Sequence, residues 1–268
     1  MIMKSIPSFL LRSLFPALVI SLVFTATQAT AVNRSFAGDI QQKLNRATEL
    51  QDAFQDEEAL AAYKAVLEID PAHYDALWNT VMLHTSIGHR QSSSRLEEQH
   101  YDQAYNYAKQ LLEKHPDQAG THFAYAAAVG RKAQSVGARE RISMSNEIRD
   151  HAYKAVELDP EYARAWNVLG NWHHRAANLS TLERMAANAL FGGAPEGASN
   201  EKALESFRRA LELDPDFILY YHDKADFLIT VGDKEEARRT IQKGLEKEIR
   251  TSDDERWKDY MRTMLSRL

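Results

Sequence analysis

The densest run of chemically capable side chains is Trp172-His173-His174-Arg175, with Arg184 following nine residues later. Adjacent histidines on a helix point about 100° apart, so this pair does not make the same-face ligand set of a metal-binding helix. The sequence has no H-E-x-x-H and no cysteine, which also excludes soft-ligand zinc sites. A histidine packed between helices is the expectation instead. Arg175 and Arg184 could hold a carboxylate or phosphate, because guanidinium presents a planar fork of donors; pairing with Glu183, Glu201 or Glu205 is the alternative. Trp166, Trp172, Tyr220, Tyr221 and Phe227 could line an apolar groove, or serve as core at helical spacing. No Gly-rich phosphate loop, G-x-S-x-G or nucleophile with an evident base occurs. The expectation is a non-catalytic chain without cofactor or metal. Its candidate partner- or ligand-binding residues are Trp166, Trp172, His173, Arg175, Arg184 and Tyr221.

The elements that must position these residues follow from a repeat. Pro71, Pro116, Pro160 and Pro215 sit in the strings LEIDPAHYDALW, LEKHPDQAGTHF, VELDPEYARAWN and LELDPDFILYYH. Twelve residues before each proline stands Ala59, Ala104, Ile148 or Ala203, and eight before each stands Tyr63, Ala108, Ala152 or Phe207. A fifth copy without proline places Ala237, Ile241 and Gly244 in the same phase. Small residues let antiparallel helices approach, and the larger residue one turn on fills the groove beside them. Proline cannot continue a helix and pushes the preceding residue towards extended geometry, which places the turn. Asp70, Asp159 and Asp214 suit a turn that caps the next helix. Trp166, Leu169, Gly170, Ala203, Phe207, Ala210 and Pro215 meet the tetratricopeptide repeat pattern best, with His173 where tyrosine is usual. In the middle copies Ile148 and His122 fit it poorly. The chain is similar to tetratricopeptide proteins, which implies an all-α solenoid of antiparallel helix pairs.

The prolines are 45, 44 and 55 residues apart, against about 34 in a regular array. The added residues include Gly88–Glu97, Ser135–Met144 and Asn178–Ser199, at one place in each repeat. The first two read as surface loops. The third reads as an extra helix from Thr181 to Phe191, capped by Ser180 with Glu183 three residues on and stopped by Gly192-Gly193. Its apolar side would be Leu182, Met185, Ala186, Ala189 and Leu190. Ser199 and Asn200 can cap the helix that follows. Near the end, Ser252 and Glu255 have capping-box spacing. Trp257, Tyr260, Met261, Met264, Leu265 and Leu268 mark one face of a terminal helix that would cap the array.

The third insertion carries a more specific likeness. Leu169-Gly170 with Trp172, Leu179-Ser180, Leu182-Glu183-Arg184, Leu190-Phe191-Gly192, Pro195 and Asp214-Pro215 resemble the regulators of microtubule dynamics, a family of animals with bacterial relatives. The general layout extends over residues 40–250, and the specific match over about 165–245. The resemblance implies a helical repeat domain without metabolic chemistry. Animal members are associated with microtubules and membranes, and some with membrane contacts and lipid binding.

The N-terminus points away from tubulin. Lys4 and Arg12 stand before the apolar run Leu14–Phe24, and Ala29-Thr30-Ala31 closes it, the three parts of a secretory signal. The run is shorter than the ~20 residues of a spanning helix; an uncleaved anchor counted from Ile6 is the alternative. The expected layout is a signal peptide at 1–31 and a repeat domain at 32–268, periplasmic in a Gram-negative bacterium, with membrane attachment only if the signal stays. Removing residues 1–31 leaves 31 basic against 38 acidic residues, which gives nothing to attract nucleic acid. The functional expectation is a scaffold holding a protein or peptide in its groove, with carriage of a lipid or other apolar ligand as the alternative.

Overall fold

In the computed structural model, the structure describes residues 38–190, 193 and 196–268. The signal segment 1–31, Phe191-Gly192 and Pro195 lie outside them. Among the described residues all regular structure is helical. The order is α1 (38–52), α2 (Asp56–Leu67), α3 (Tyr74–Arg90), α4 (Ser94–Lys114), α5 (Ala119–Lys132), α6 (Ala138–Leu158), α7 (Ala163–Ala177), α8 (Thr181–Leu190), α9 (Asn200–Leu213), α10 (Ile218–Thr230), α11 (Lys234–Leu245) and α12 (Asp254–Arg267).

The repeat phase sets the packing. Ala59, Ala104, Ala108, Ala152, Ala203, Ala210 and Ala237 are all fully buried, as backbones in close approach require. α3 packs on α4, α5 on α6, α7 on α9 and α10 on α11. The first helices of the pairs also touch in series, α3 to α5 to α7 to α10. They form an inner row, with the second helices outside it.

Each turn is fixed by side chains read from the proline register. The carboxylates of Asp70, Asp159 and Asp214 accept from the backbone N–H two residues on, at 3.0, 2.9 and 3.4 Å. They therefore close the turn itself instead of capping the next helix, whose N-cap positions are His73, Tyr162 and Phe217. At Pro116, Pro160 and Pro215 the residue six further on reaches back to the proline carbonyl. Tyr221 Oη donates to Pro215 O at 2.7 Å, Trp166 Nε1 to Pro160 O at 2.9 Å and His122 Nε2 to Pro116 O at 2.8 Å. His122 is thus no misfit: its ring N–H supplies the same bond as tryptophan or tyrosine.

Two sequence expectations are corrected in the first insertions. They are not loops but helix, because α4 and α6 each run to 21 residues and only 91–93 and 133–137 separate the paired helices. The added turns have core to cover. Tyr101 is 1% exposed and its ring fills the space over Gly88, while Met144 joins the α5–α6 core.

The third insertion folds partly as expected. Ser180 Oγ accepts from Glu183 N at 3.2 Å and Glu183 Oε2 accepts from Ser180 N at 2.8 Å, which is a reciprocal capping box. The Ser199 hydroxyl accepts from Lys202 N. The buried side of α8 is not the expected one, however: Ala187 is buried, whereas Leu182 and Met185 are 77% and 63% exposed.

The terminal helix also starts differently. Ser252 Oγ is buried without a partner, and Asp254 instead accepts from the backbone N–H groups of Arg250 and Thr251 at 2.7 Å each. Trp257 and Met261 bury against α10 and α11 as a capping helix should, and Tyr260 stays 39% exposed.

Candidate partner-binding surface

The inner row presents two tiers of side chains. In the first tier, Trp78 of α3 lies 6.4 Å from Phe123 of α5, and Phe123 lies 5.5 Å from Tyr162 at the start of α7. Arg164 of α7 extends over these rings, its guanidinium carbon 5.4 Å from the Trp78 centroid, 6.0 Å from Phe123 and 4.9 Å from Phe217. It makes no ion pair or hydrogen bond with any described residue. Met82 and Ala127 extend the floor and stay partly exposed. Burial pushes the Tyr162 phenol up to about 12, against the pull of the Arg164 charge.

The second tier is polar. Asp223 of α10 accepts from Asn167 and Asn171 of α7 at 2.7 and 2.6 Å and pairs with His222 Nδ1 at 2.9 Å. Burial pushes the Asp223 carboxyl up, but these bonds, His222 first, hold it below its ordinary range. The His222 ring packs 4.8 Å from Trp257 of α12. Trp257 in turn stacks on His89 at the end of α3, with centroids 4.9 Å apart and planes 13° apart. Arg90 completes this contact, donating to Asp253 at 2.8 Å and to Asp56 at 2.5 Å, and Arg256 donates to His89 O at 2.7 Å. The stack thus curls until its last helix meets its second helix pair.

The sequence-predicted residues distribute unevenly over this surface. Trp166 and Tyr221 clasp their proline turns, and Tyr221 also packs at Gly244, where a Cβ would sit 2.6 Å from its own Cβ. Trp172 is 5% exposed, donates to Ser145 Oγ at 3.1 Å and has Arg149 over its ring at 5.7 Å. His173 is 1% exposed; its Nε2 meets Tyr153 Oη at 2.9 Å, and burial lowers its pKa to about 4. Trp172, His173 and Tyr221 are held in helix contacts, while Trp166 is bonded to its own turn. Arg184 borders a shallow cleft of about 370 Å³ with Ala176, Asn188 and Glu196, its Nη2 3.5 Å from Ala177 O. Arg175 is exposed and lies outside that lining. Neither pairs with an acid among the described residues.

Trp78, Phe123, Arg164 and Asp223 escaped the sequence reading. The proline register carries a signal for them: Arg164 stands four residues after Pro160, at the start of the first helix of its pair, where side chains turn to the inner row. No group of three metal-capable side chains occurs among the described residues, and no described helix is long and apolar enough to cross a membrane.

An inner row of stacked helices with the second helices of the pairs outside it defines a tetratricopeptide-type α-solenoid. A crystal structure of a thermophilic tetratricopeptide protein from Thermus thermophilus has the same fold, with a TM-score of 0.60 at 18% identity over 85% of this chain and 99% of that one. Residues 43–268 match the family described as Regulator of microtubule dynamics protein 1-3, and the chain belongs to it. Regulator of microtubule dynamics protein 3 of Rattus norvegicus is 38% identical over 110 residues, 41% of this chain and 23% of the relative. Protein 1 of Bos taurus is 28% identical over 180 residues, 67% of this chain and 56% of the relative. The chain thus spans from just under a quarter to somewhat over half of the length of these curated relatives.

Proposed function

We propose that the chain is a non-catalytic scaffold that holds an extended segment of a protein partner along its inner row of helices, in the periplasm. The observation that carries this is the first tier. Trp78, Met82 and Phe123 form an apolar floor from two successive helix pairs, with an unpaired guanidinium at its edge. Surfaces of stacked repeats suit extended segments, because each repeat offers a similar strip at a regular spacing. Carriage of an apolar ligand is less well supported. The cleft beside α8 is bordered by Arg184, Asn188 and Glu196 as well as alanines, a poor wall for an acyl chain. The periplasmic part rests on the N-terminal sequence and is tested by cell fractionation with N-terminal sequencing of the product; a cytoplasmic chain that keeps Met1 would refute it.

The binding part is tested with a photoreactive amino acid placed at Met82 on the inner row or at Glu212 on an outer helix of the full chain. After irradiation in the producing cells, protein adducts are expected at position 82 and not at 212. Equal recovery at both positions, or none at 82, would refute it.

A further inference from the structure

Arg164 has an unusual setting for a groove cation. Three rings from three separate elements surround its guanidinium: Trp78 from α3, Phe123 from α5 and Phe217 from the turn before α10. Rings stabilise the charge from their faces and leave the in-plane N–H fork unspent. No acid among the described residues takes that fork, although the chain carries more acidic than basic residues. The rings also fix the group in place, so little side-chain entropy remains to be lost when a ligand binds.

A second observation points the same way. Hydrogen-bonding groups from neighbouring elements gather at this end of the inner row. A Cβ on Gly120 would stand 2.3 Å from Tyr74 Oη, 3.3 Å from Tyr162 Oη and 3.4 Å from Trp78 Nε1. Glycine at 120 is what lets these three groups converge. Beside them the Tyr220 hydroxyl, on a residue 1% exposed, has no partner, and Arg164 lies close enough to oppose the rise that burial imposes on its phenol. An unpaired buried hydroxyl is costly, and at a site with a positive neighbour it leaves spare donor capacity.

We propose that Arg164, framed by Trp78, Phe123 and Phe217, is the anchor for a carboxylate carried by the bound segment, either an acidic side chain or a free C-terminus. This rests on the partner-segment reading above and deepens it. The geometry of the open fork favours a carboxylate, whose two coplanar oxygens match two parallel N–H groups. Asp159 and Asp223, which act on the neighbouring Tyr162 and Tyr220, oppose a dianion more than a monoanion.

The test uses the full chain with ¹⁵N-labelled arginine and tryptophan side chains. Sodium acetate, acetamide and inorganic phosphate are titrated separately at constant ionic strength. The Arg164 Nε–H and Trp78 Nε1–H resonances are followed, identified by their loss or shift in Arg164→Lys and Trp78→Phe. Acetate is expected to move both saturably and acetamide neither. Arg164→Lys should weaken the acetate response about tenfold, the scale of one charge-assisted hydrogen bond, with an unchanged far-ultraviolet circular dichroism spectrum as the folding control. Phosphate binding tighter than acetate, or an acetate response that is linear or persists in Arg164→Gln, would overturn the assignment. Crosslinking at position 82 separates this from the broader reading. Undiminished adducts in Arg164→Gln would sink the anchor alone, whereas saturable acetate binding without any adduct would sink the partner groove alone.

Discussion

The helix pairs of the N-terminal and C-terminal halves share one geometry but are locked by different chemistry. In α7–α9, the Phe207 ring lies on Gly170, where a Cβ would meet it at 2.6 Å. Around α10, α11 and α12, Gly244 takes Tyr221 and Met261 in the same way. These contacts are apolar and indifferent to pH. In α3–α4, His84 Nδ1 faces His100 Nδ1 at 3.0 Å, and in α5–α6, His122 Nδ1 faces His151 Nδ1 at 2.8 Å. Since His122 Nε2 donates to a carbonyl, its Nδ1 is the acceptor and His151 the donor. Such a bond exists only while the accepting Nδ1 carries no proton. α3–α4 keeps the glycine device too, with Tyr101 over Gly88, so the imidazole pair there is added to an apolar contact. One backbone arrangement can thus be fastened by a contact that ignores solution conditions or by one that reads them.

The largest expected effect tests the apolar side. Phe207→Ala removes a fully buried ring and should cost about 3–5 kcal/mol, measured by urea denaturation at pH 7.5. A loss under about 1 kcal/mol would mean that the glycine contact does not fasten α7 to α9.

The next effect tests the imidazole side. Burial first, then His100 and Lys64, lower the His84 pKa to about 4; burial also lowers His100, His122 and His151. These groups bind protons in the unfolded chain below about pH 6.5 but not yet in the folded one, so folding stability must fall as pH falls from there. At pH 4.5 His84 alone should contribute a loss of about 2–3 kcal/mol relative to pH 7.5. Joint replacement His84→Leu and His100→Leu should be within about 1 kcal/mol of neutral at pH 7.5, since it also removes a buried Nε2 that has no partner. It should remove most of that acid-induced loss. An unaltered pH profile would show that the acid response lies elsewhere.

The smallest effect is a control on the C-terminal half. Arg239 is 59% exposed and pairs with Glu236 at 2.9 Å. Arg239→Ala should change stability by less than about 0.5 kcal/mol at any pH between 5 and 8. A larger change would mean that surface charge also distinguishes the halves.

The fold was legible because its signal is periodic and local: prolines, small residues and aromatics recur at set offsets, and each has a packing reason. The insertions were misjudged because polar strings such as HRQSSSR say little about a helix held by a few contacts like Tyr101 on Gly88. The exposed side of α8 was misassigned for a related reason: a ten-residue helix with alanines on several sides leaves its buried face to tertiary contacts. The inner surface was the least legible part. His84 and His173 each stand thirteen residues after a proline, so one register could have flagged both as interhelix histidines. Their partners His100 and Tyr153, however, come from different offsets. Arg164 is one of many arginines until three rings from separate elements are seen around it.

The Arg90 and Trp257 contacts between α12 and α3 change what kind of object this array is. In an open solenoid each repeat depends only on its neighbours, and the ends fray at little cost. Here residues 163 and 167 positions apart are joined, so the last helix cannot loosen without breaking bonds to the end of α3. The stretch from α3 to α12 becomes cooperative around its circumference, its inner width is set by where those two helices meet, and adding or deleting a repeat between them would break the ring instead of lengthening a rod.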